Sequence, residues 1–449
     1  MIDKRARRSK RGTDPRPLKG IRVAVLLGID NLACNNRVRK QAKALCEAGA
    51  SVTVYNYTEQ LIEEDPVLAA EPFQVVSVGD IKYTEAVPFP ELAPYFEITN
   101  ERWPRLLRIA DHLFFNKVYN DRKSLEYQKA CGVWHIEHEQ FHHFYTEHCP
   151  YFMYMDLVEK PDVVHVHDLD ALFAGAYIAR REGAKLIYDS HEIYLEQGWS
   201  EEVAGWIAVL ADIEQRDIHQ SDALITVVPQ ITTHLLETYG YRGPTLEMYN
   251  SFNEVADAAS PVSDPVRFVF SGMFDPQRNL IELVTAFDQL RGIATLSLQG
   301  FAGIKEELEA LIERLDLQET VFFVDPVEPS EIVASFRDYD VGTLIWTPTS
   351  KNLEFSGPNK LFDYMGAGLA LVASDDLIFI TSVIEEYGNG YTFKFDSVDS
   401  IAAQLREICA DPALISSKKK ASLVAAQQFV WDRQAAAMIE LYQQVLEHK

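Results

Sequence analysis

Paired cysteines, long apolar runs and positive charge are what this chain of 449 residues has little of. Its five cysteines, Cys34, Cys46, Cys131, Cys149 and Cys409, are odd in number, scattered and never spaced as C-x-x-C. That pattern argues against a disulfide framework and against a cysteine-based zinc site. No uninterrupted apolar run approaches the roughly 20 residues that span a bilayer, and no apolar signal region follows the first basic residues. A soluble chain kept in a reducing cytoplasm is the expectation. With 42 Lys and Arg against 67 Asp and Glu, the formal net charge of −25 argues against bulk nucleic-acid binding, which depends on neutralising phosphates.

What is present is a globular composition, 47% hydrophobic and 24% charged, at a length that suits two domains of about 200 residues each. Positive charge collects in residues 1–19, where Lys4, Arg5, Arg7, Arg8, Lys10, Arg11, Arg16 and Lys19 face only Asp3 and Asp14. Such a tail is either solvated and disordered or in contact with anionic lipid, where each basic residue contributes about 1 kcal/mol near the surface.

Apolar periodicity alternates between short buried runs and helical spacing, the signature of parallel sheets with crossover helices. The pattern predicts strands over 21–27, 51–55, 162–166, 185–188 and 223–228. Val38, Ala42 and Leu45 mark the first helix, with Asn36 as its cap. Between 85 and 155 the pattern is lost to an aromatic, charged stretch read as a helical insertion. The run from Glu254 to Pro265 interrupts both periods and reads as a linker over 255–265. A second series follows, with strands over 266–270, 294–298, 321–324, 341–345 and 369–373, and a one-sided apolar helix over 431–446.

The chemistry concentrates in Asn352-Leu353-Glu354-Phe355-Ser356-Gly357-Pro358-Asn359-Lys360-Leu361-Phe362-Asp363-Tyr364-Met365-Gly366-Ala367-Gly368, a polar loop entering a short helix ahead of a buried strand. A helix start of this kind can hold an anion. The segment resembles the donor-binding region of retaining glycosyltransferases with the GT-B architecture of two Rossmann-like domains, in particular glycosyltransferase family 4. The resemblance extends to Ser271-Gly272-Met273-Phe274-Asp275-Pro276-Gln277-Arg278 and to His165-Val166-His167-Asp168 and Tyr188-Asp189-Ser190-His191-Glu192, both at strand ends, where open α/β sheets bind ligands.

The resemblance implies an acceptor-side domain over 20–254, a donor domain over 266–430 and a C-terminal helix over 431–449 that crosses back. It implies a nucleotide-diphosphate sugar as donor, with no required cofactor or metal, and a glycan or lipid-linked acceptor. Gly272, Arg278, Ser356, Asn359, Lys360 and Asp363 become donor-binding candidates, Asp363 toward the ribose. His167, Asp168, His191 and Glu354 become catalytic candidates, and Gly28, Arg37, Arg39, Lys40 and Glu192 face the acceptor. Two departures stand out. Met273 replaces a usual phosphate-clamping cation, for which Lys360 could substitute, and Glu354 lies one position farther from Asp363 than the resemblance leads one to expect.

Arg37, Arg39 and Lys40 oppose the dipole of their helix unless an anion is near, which a phosphate-bearing ligand could supply; otherwise they reach water. For each histidine a structural role is the alternative. His138-Glu139-Gln140-Phe141-His142 matches the zinc pattern H-E-x-x-H, but a peptidase would leave both Rossmann-like halves unexplained. Asp168-Leu169-Asp170 matches the metal-holding D-x-D of single-domain transferases, but Asp170 reads as a helix start. The function implied is a retaining, hexosyl-type glycosyltransferase of surface polysaccharide or glycolipid synthesis, cytoplasmic, with the basic tail and Trp103-Pro104-Arg105-Leu106-Leu107-Arg108 available to the inner membrane face. A non-catalytic partner subunit and a non-hydrolysing nucleotide-sugar epimerase are the alternatives.

Overall fold

The structure is a computed structural model that describes residues 16–28, 32–33, 35–56, 66–77, 154, 157–199, 204–251, 254–328 and 330–447. Most of the basic tail and of the 85–155 insertion, including His138, Glu139, His142 and the stretch 103–108, lies outside the described residues.

Among the described residues thirteen strands form two parallel sheets. The first has the order β3-β2-β1-β4-β5-β6-β7 and contains β1 (Arg22–Leu26), β2 (Ser51–Asn56), β3 (Gln74–Ser77), β4 (Val163–His167), β5 (Lys185–Ser190), β6 (Ala223–Thr226) and β7 (Thr245–Glu247). The second has the order β10-β9-β8-β11-β12-β13 and contains β8 (Val266–Met273), β9 (Ala294–Phe301), β10 (Val321–Val324), β11 (Val341–Leu344), β12 (Ala370–Ser374) and β13 (Gly390–Phe393). Central strands such as β4, β6, β11 and β12 are buried along their whole length, because helices cover both faces of a parallel sheet and leave no polar side.

Strand order reverses between β1 and β4 in the first sheet and between β8 and β11 in the second. At such switch points the chain leaves the two strands in opposite directions and opens a crevice at their carboxyl ends. Those ends carry Gly28 and His167 in the first sheet and Gly272 and Trp346 in the second.

The two sheets share apolar packing. The Tyr249 ring lies 5.9, 5.8 and 4.9 Å from the rings of Phe362, Phe379 and Phe429. The C-terminal helix Trp431–Glu447 returns to the first sheet, burying Met438, Leu441, Tyr442 and Val445 with Val23, Val25 and Val38. The crossing helix expected from the sequence is therefore present. Among the described residues no helix is long and apolar enough to cross a membrane. One detail corrects the sequence reading: the helix Asn36–Glu47 is capped by Asn35, whose side chain accepts from the Val38 amide, and not by Asn36.

Candidate active site

Parallel register sets His167 of β4 beside Asp189 of β5. Alternate residues of a strand share a face, so His165 and His167 point the same way and their rings stack 4.5 Å apart. Asp189 is the hub beneath them. Its two oxygens accept from Arg37 and Gln41 at 2.8 Å each, and ring nitrogens of His165, His167 and His191 lie 3.7, 3.6 and 3.8 Å from it. Burial alone would raise the Asp189 carboxyl, but Arg37 and His191 outweigh it and hold the group well below the usual range.

Asp168 adopts φ 65 where β4 passes into the helix Leu169–Glu182. Its carboxylate accepts from the His191 backbone N–H at 3.0 Å and lies 3.1 Å from His191 Nδ1. Burial lowers the pKa of His191, yet Asp168 and Asp189 together raise it above the ordinary imidazole value. His167 goes the other way, driven well below that value by burial and by His165. His191 Nε2 lies 2.9 Å from His167 Nδ1. An imidazolium at His191 donates from Nδ1 to Asp168 and from Nε2 to His167 Nδ1, which leaves the His167 proton on Nε2. Among the described residues that nitrogen is buried without a partner, an arrangement that calls for a ligand group.

His165, His167 and Asp189 offer atoms within 4.8 Å of one another, close enough to hold a metal ion. Both Asp189 oxygens already accept hydrogen bonds, and the Arg37 guanidinium already pairs with its charge. Asp170 lies buried in the first turn of the helix, which begins at Leu169 with Asp168 in the cap position, and it sits under Gly28, where a Cβ would meet Asp170 Oδ1 at 2.6 Å. The two acids of Asp168-Leu169-Asp170 therefore serve different partners.

The anion that the basic helix start calls for is supplied largely from within. Arg37 pairs with Asp189 at 2.8 Å and Arg39 with Glu71 at 2.7 Å, so each already has an acid within the chain. Lys40 instead reaches the Ser251 carbonyl at 2.8 Å and lies over the Trp431 ring. Burial lowers its pKa to about 8, opposed by the field of Asp363 from the second half of the chain.

At the switch point of the second sheet, Gly272 has φ 128, a conformation that favours glycine. A Cβ there would approach Lys360 Nζ at 3.2 Å. Lys360 thus lies beside the backbone that leads to Met273, whose own side chain is 53% exposed. Arg278 sits over Trp346, and Lys360 over Phe270. Among the described residues neither cation has an ion-pair partner within 4.0 Å. Burial, reinforced by Arg278, lowers Lys360 to about 7. Asp363 is pushed up to about 7 by burial, against Lys40 and Lys360. Ser356 Oγ is buried without a partner, while Asn359 is exposed at the first turn of the helix Asn359–Ala367.

Asn352 joins the two halves, donating to Glu192 Oε2 and accepting from the Ile193 amide at 2.9 Å each. Glu192, read from the sequence as facing the acceptor, also accepts from Gln197 at 2.7 Å. Glu354 closes the same short helix, Lys351–Glu354, two residues after Asn352. Sequence reading missed Trp346, Tyr442 and the role of Asn352. Only Trp346 carried a local signal, as an aromatic at the end of a buried strand.

Residues 253–428 match the family described as Glycosyl transferases group 1, and residues 33–248 match the Glycosyl transferase 4-like domain. Each half of the chain thus matches a glycosyl transferase domain. Solved structures place the chain in the GT-B fold. Sucrose-phosphate synthase from Thermosynechococcus elongatus is 15% identical, with a TM-score of 0.61 over 96% of this chain and 100% of that one. HepE of Anabaena, solved with UDP, is 15% identical, with a TM-score of 0.61 over 94% and 100%. TarM of S. aureus is 9% identical, with a TM-score of 0.63 over 96% and 99%. A comparison with curated protein sequences gives no match for the chain.

Proposed function

We propose that this chain transfers a hexosyl group from a nucleotide-diphosphate sugar to a glycan or lipid-linked acceptor, with retention of anomeric configuration. The observation that carries the reading is the pair of cations, Arg278 and Lys360, that have no ion-pair partner within 4.0 Å among the described residues and lie at the switch point of the second sheet. HepE was solved with UDP and glucose, and TarM with Fondaparinux, alpha-GlcNAc-glycerol and UDP, which supports the same ligand classes here.

In this reading the diphosphate lies against Arg278, Lys360 and the Gly272 backbone, and Asp363 approaches the ribose. As the bond from sugar to diphosphate breaks, negative charge grows on the leaving phosphate, and the two cations stabilise it. The leaving group itself helps to accept the acceptor proton. His167 Nε2–H supplies a donor to the transferred sugar or to the acceptor, positioned by His191 and Asp168. Lys40, with Glu354 and the Asn352 clasp, lines the acceptor approach. Closure of the two halves would exclude water and suppress donor hydrolysis. Synthesis of a surface polysaccharide or glycolipid at the inner membrane face, with the basic tail against anionic lipid, completes the proposal.

A panel of UDP, GDP, ADP and their sugar conjugates, read by thermal shift and calorimetry, tests the donor site. One nucleotide should stabilise the wild type by about 2.7 kcal/mol at a hundredfold excess over Kd, and Arg278→Ala and Lys360→Ala should weaken that effect. No stabilisation by any nucleotide would overturn the reading in favour of a non-catalytic partner subunit. Product formed without acceptor would point to an epimerase, and the anomeric configuration of the product, read by NMR, decides retention.

Donor binding should also depend on pH. Lys360 titrates near 7 in the folded chain, where Arg278, Asp275 and Asp363 act on it. Its charged form disfavours the unliganded fold below about pH 7, and that penalty fades as pH rises toward the unfolded value of 10.5. Asp363 has the opposite sign, its penalty appearing as pH rises from 3.8 through about 7. A diphosphate favours Lys360 charged, so UDP affinity should fall above pH 7, by at most about tenfold per unit. Lys360→Arg should remove that limb, and an unchanged profile in that variant would count against Lys360 as the titrating group.

A further inference from the structure

Building on the anion site proposed above, the geometry around its two cations assigns a role to a residue not yet placed in the reaction. Where a counter-ion would stand beside Arg278 and Lys360, the structure puts aromatic rings. The guanidinium carbon of Arg278 lies 4.4 Å from the Trp346 ring centre. Lys360 Nζ lies 4.1 Å from the ring centre of Phe270 and 5.9 Å from that of Trp346. The nearby acid Asp275 accepts instead from the Gln277 amide at 2.8 Å.

Both rings are fixed. Phe270 lies in β8, and Trp346 follows β11, the two strands that flank the switch point. Each is 1% exposed, and the Trp346 backbone N–H donates to Ser374 Oγ at 3.1 Å.

The choice of partner matters for an incoming anion. A carboxylate would neutralise the cations and would have to be displaced by phosphate. An aromatic face attracts a cation through its quadrupole, most strongly when desolvated, yet carries no net charge. The cations are held without being neutralised. We infer that Trp346 is a positioning residue of the anion site, holding Arg278 and, with Phe270, Lys360 in place for a diphosphate. Its effect passes through the two cations.

The test is calorimetric titration of inorganic pyrophosphate and of UDP into wild type, Trp346→Phe, Trp346→Leu and Phe270→Leu. Trp346→Leu should weaken both ligands by about tenfold or more, whereas Trp346→Phe, which keeps a π face, should stay within about threefold of wild type. Phe270→Leu should give a smaller loss than Trp346→Leu but a measurable one. Wild-type pyrophosphate affinity in Trp346→Leu would overturn the assignment, as would equal losses in Trp346→Phe and Trp346→Leu, because ring volume and not the π face would then matter. Should Trp346→Leu fail to melt cooperatively, Phe270→Leu decides, and unchanged pyrophosphate binding there is the overturning result. Wild type that binds pyrophosphate but not UDP would sink the nucleotide reading while leaving the role of Trp346 to be decided by pyrophosphate. Binding of neither would overturn both.

Discussion

Asp189→Ala is expected to lower stability by about 3–5 kcal/mol, the range seen when one partner of a buried ion pair is removed. The Arg37 side chain is 8% exposed and that of Asp189 is fully buried, so neither charge is hydrated in the folded state. Without the carboxylate, the guanidinium keeps neutral acceptors, among them Asn250 Oδ1 at 3.3 Å. It loses the charge that balanced it. Gln41 loses the oxygen it donates to at the same time. Urea denaturation at pH 7 checks the size of the loss. A paired apolar replacement, Arg37→Met with Asp189→Leu, should recover much of it, since buried ion pairs are often replaceable as pairs. The sign with pH follows from the depressed carboxyl. The contribution of Asp189 is complete above the unfolded value of 3.8 and is lost as pH falls through the lower folded value. The wild type should therefore show an acid limb that Asp189→Ala lacks. Catalysis should fall as well, because Asp189 helps to keep His191 protonated. If the alanine variant matched wild type in stability, the hub assigned to Asp189 would be wrong.

The alternating architecture was legible because buried parallel strands leave continuous apolar runs in the sequence. The three strands that pattern reading missed, β3, β7 and β13, all lie at sheet edges. They are three or four residues long with mixed exposure, so their runs are too short and too polar to stand out. Strand ends were legible too, which is why His167, Asp168, His191 and Gly272 could be named as candidates. Their partners were not. His165 meets Tyr442, 277 residues away, and Arg37 meets Asp189, 152 residues away. Such pairs leave no period in the sequence, because each needs only one residue at one point of a crossing. The basic helix start shows the same limit. Charge opposed to the helix dipole correctly called for an anion, but nothing local could tell a ligand phosphate from Asp189 and Glu71.

Lys419→Met should give a loss of similar size, about 3–5 kcal/mol, and here the paired apolar replacement should fail to restore it. Lys419 and Asp340 are both fully buried and lie 2.8 Å apart. The three hydrogens of the ammonium match three acceptors, Asp340 Oδ1, Ser260 Oγ and the Tyr339 carbonyl, each within 2.9 Å. Asp340 has a second duty that Asp189 lacks. Its Oδ2 accepts the backbone amides of Ser263 and Arg267 at 3.1 and 3.0 Å, tying the linker and the start of β8 to the start of β11. Lys419→Met with Asp340→Leu would remove the stranded charge but leave those two part-buried amides without their acceptor, a cost below the roughly 1–3 kcal/mol of a fully buried group. Lys419→Met with Asp340→Asn keeps an amide oxygen for them and carries no charge, so it should be the more stable double variant. Urea midpoints of the single and the two double variants measure the order directly. Equal stability of the two doubles would mean that the amides find other partners. Because the pair anchors the starts of β8 and β11, whose far ends carry Gly272 and Trp346, the apolar double should also bind UDP more weakly at temperatures where it is still folded, although it alters no residue of the anion site.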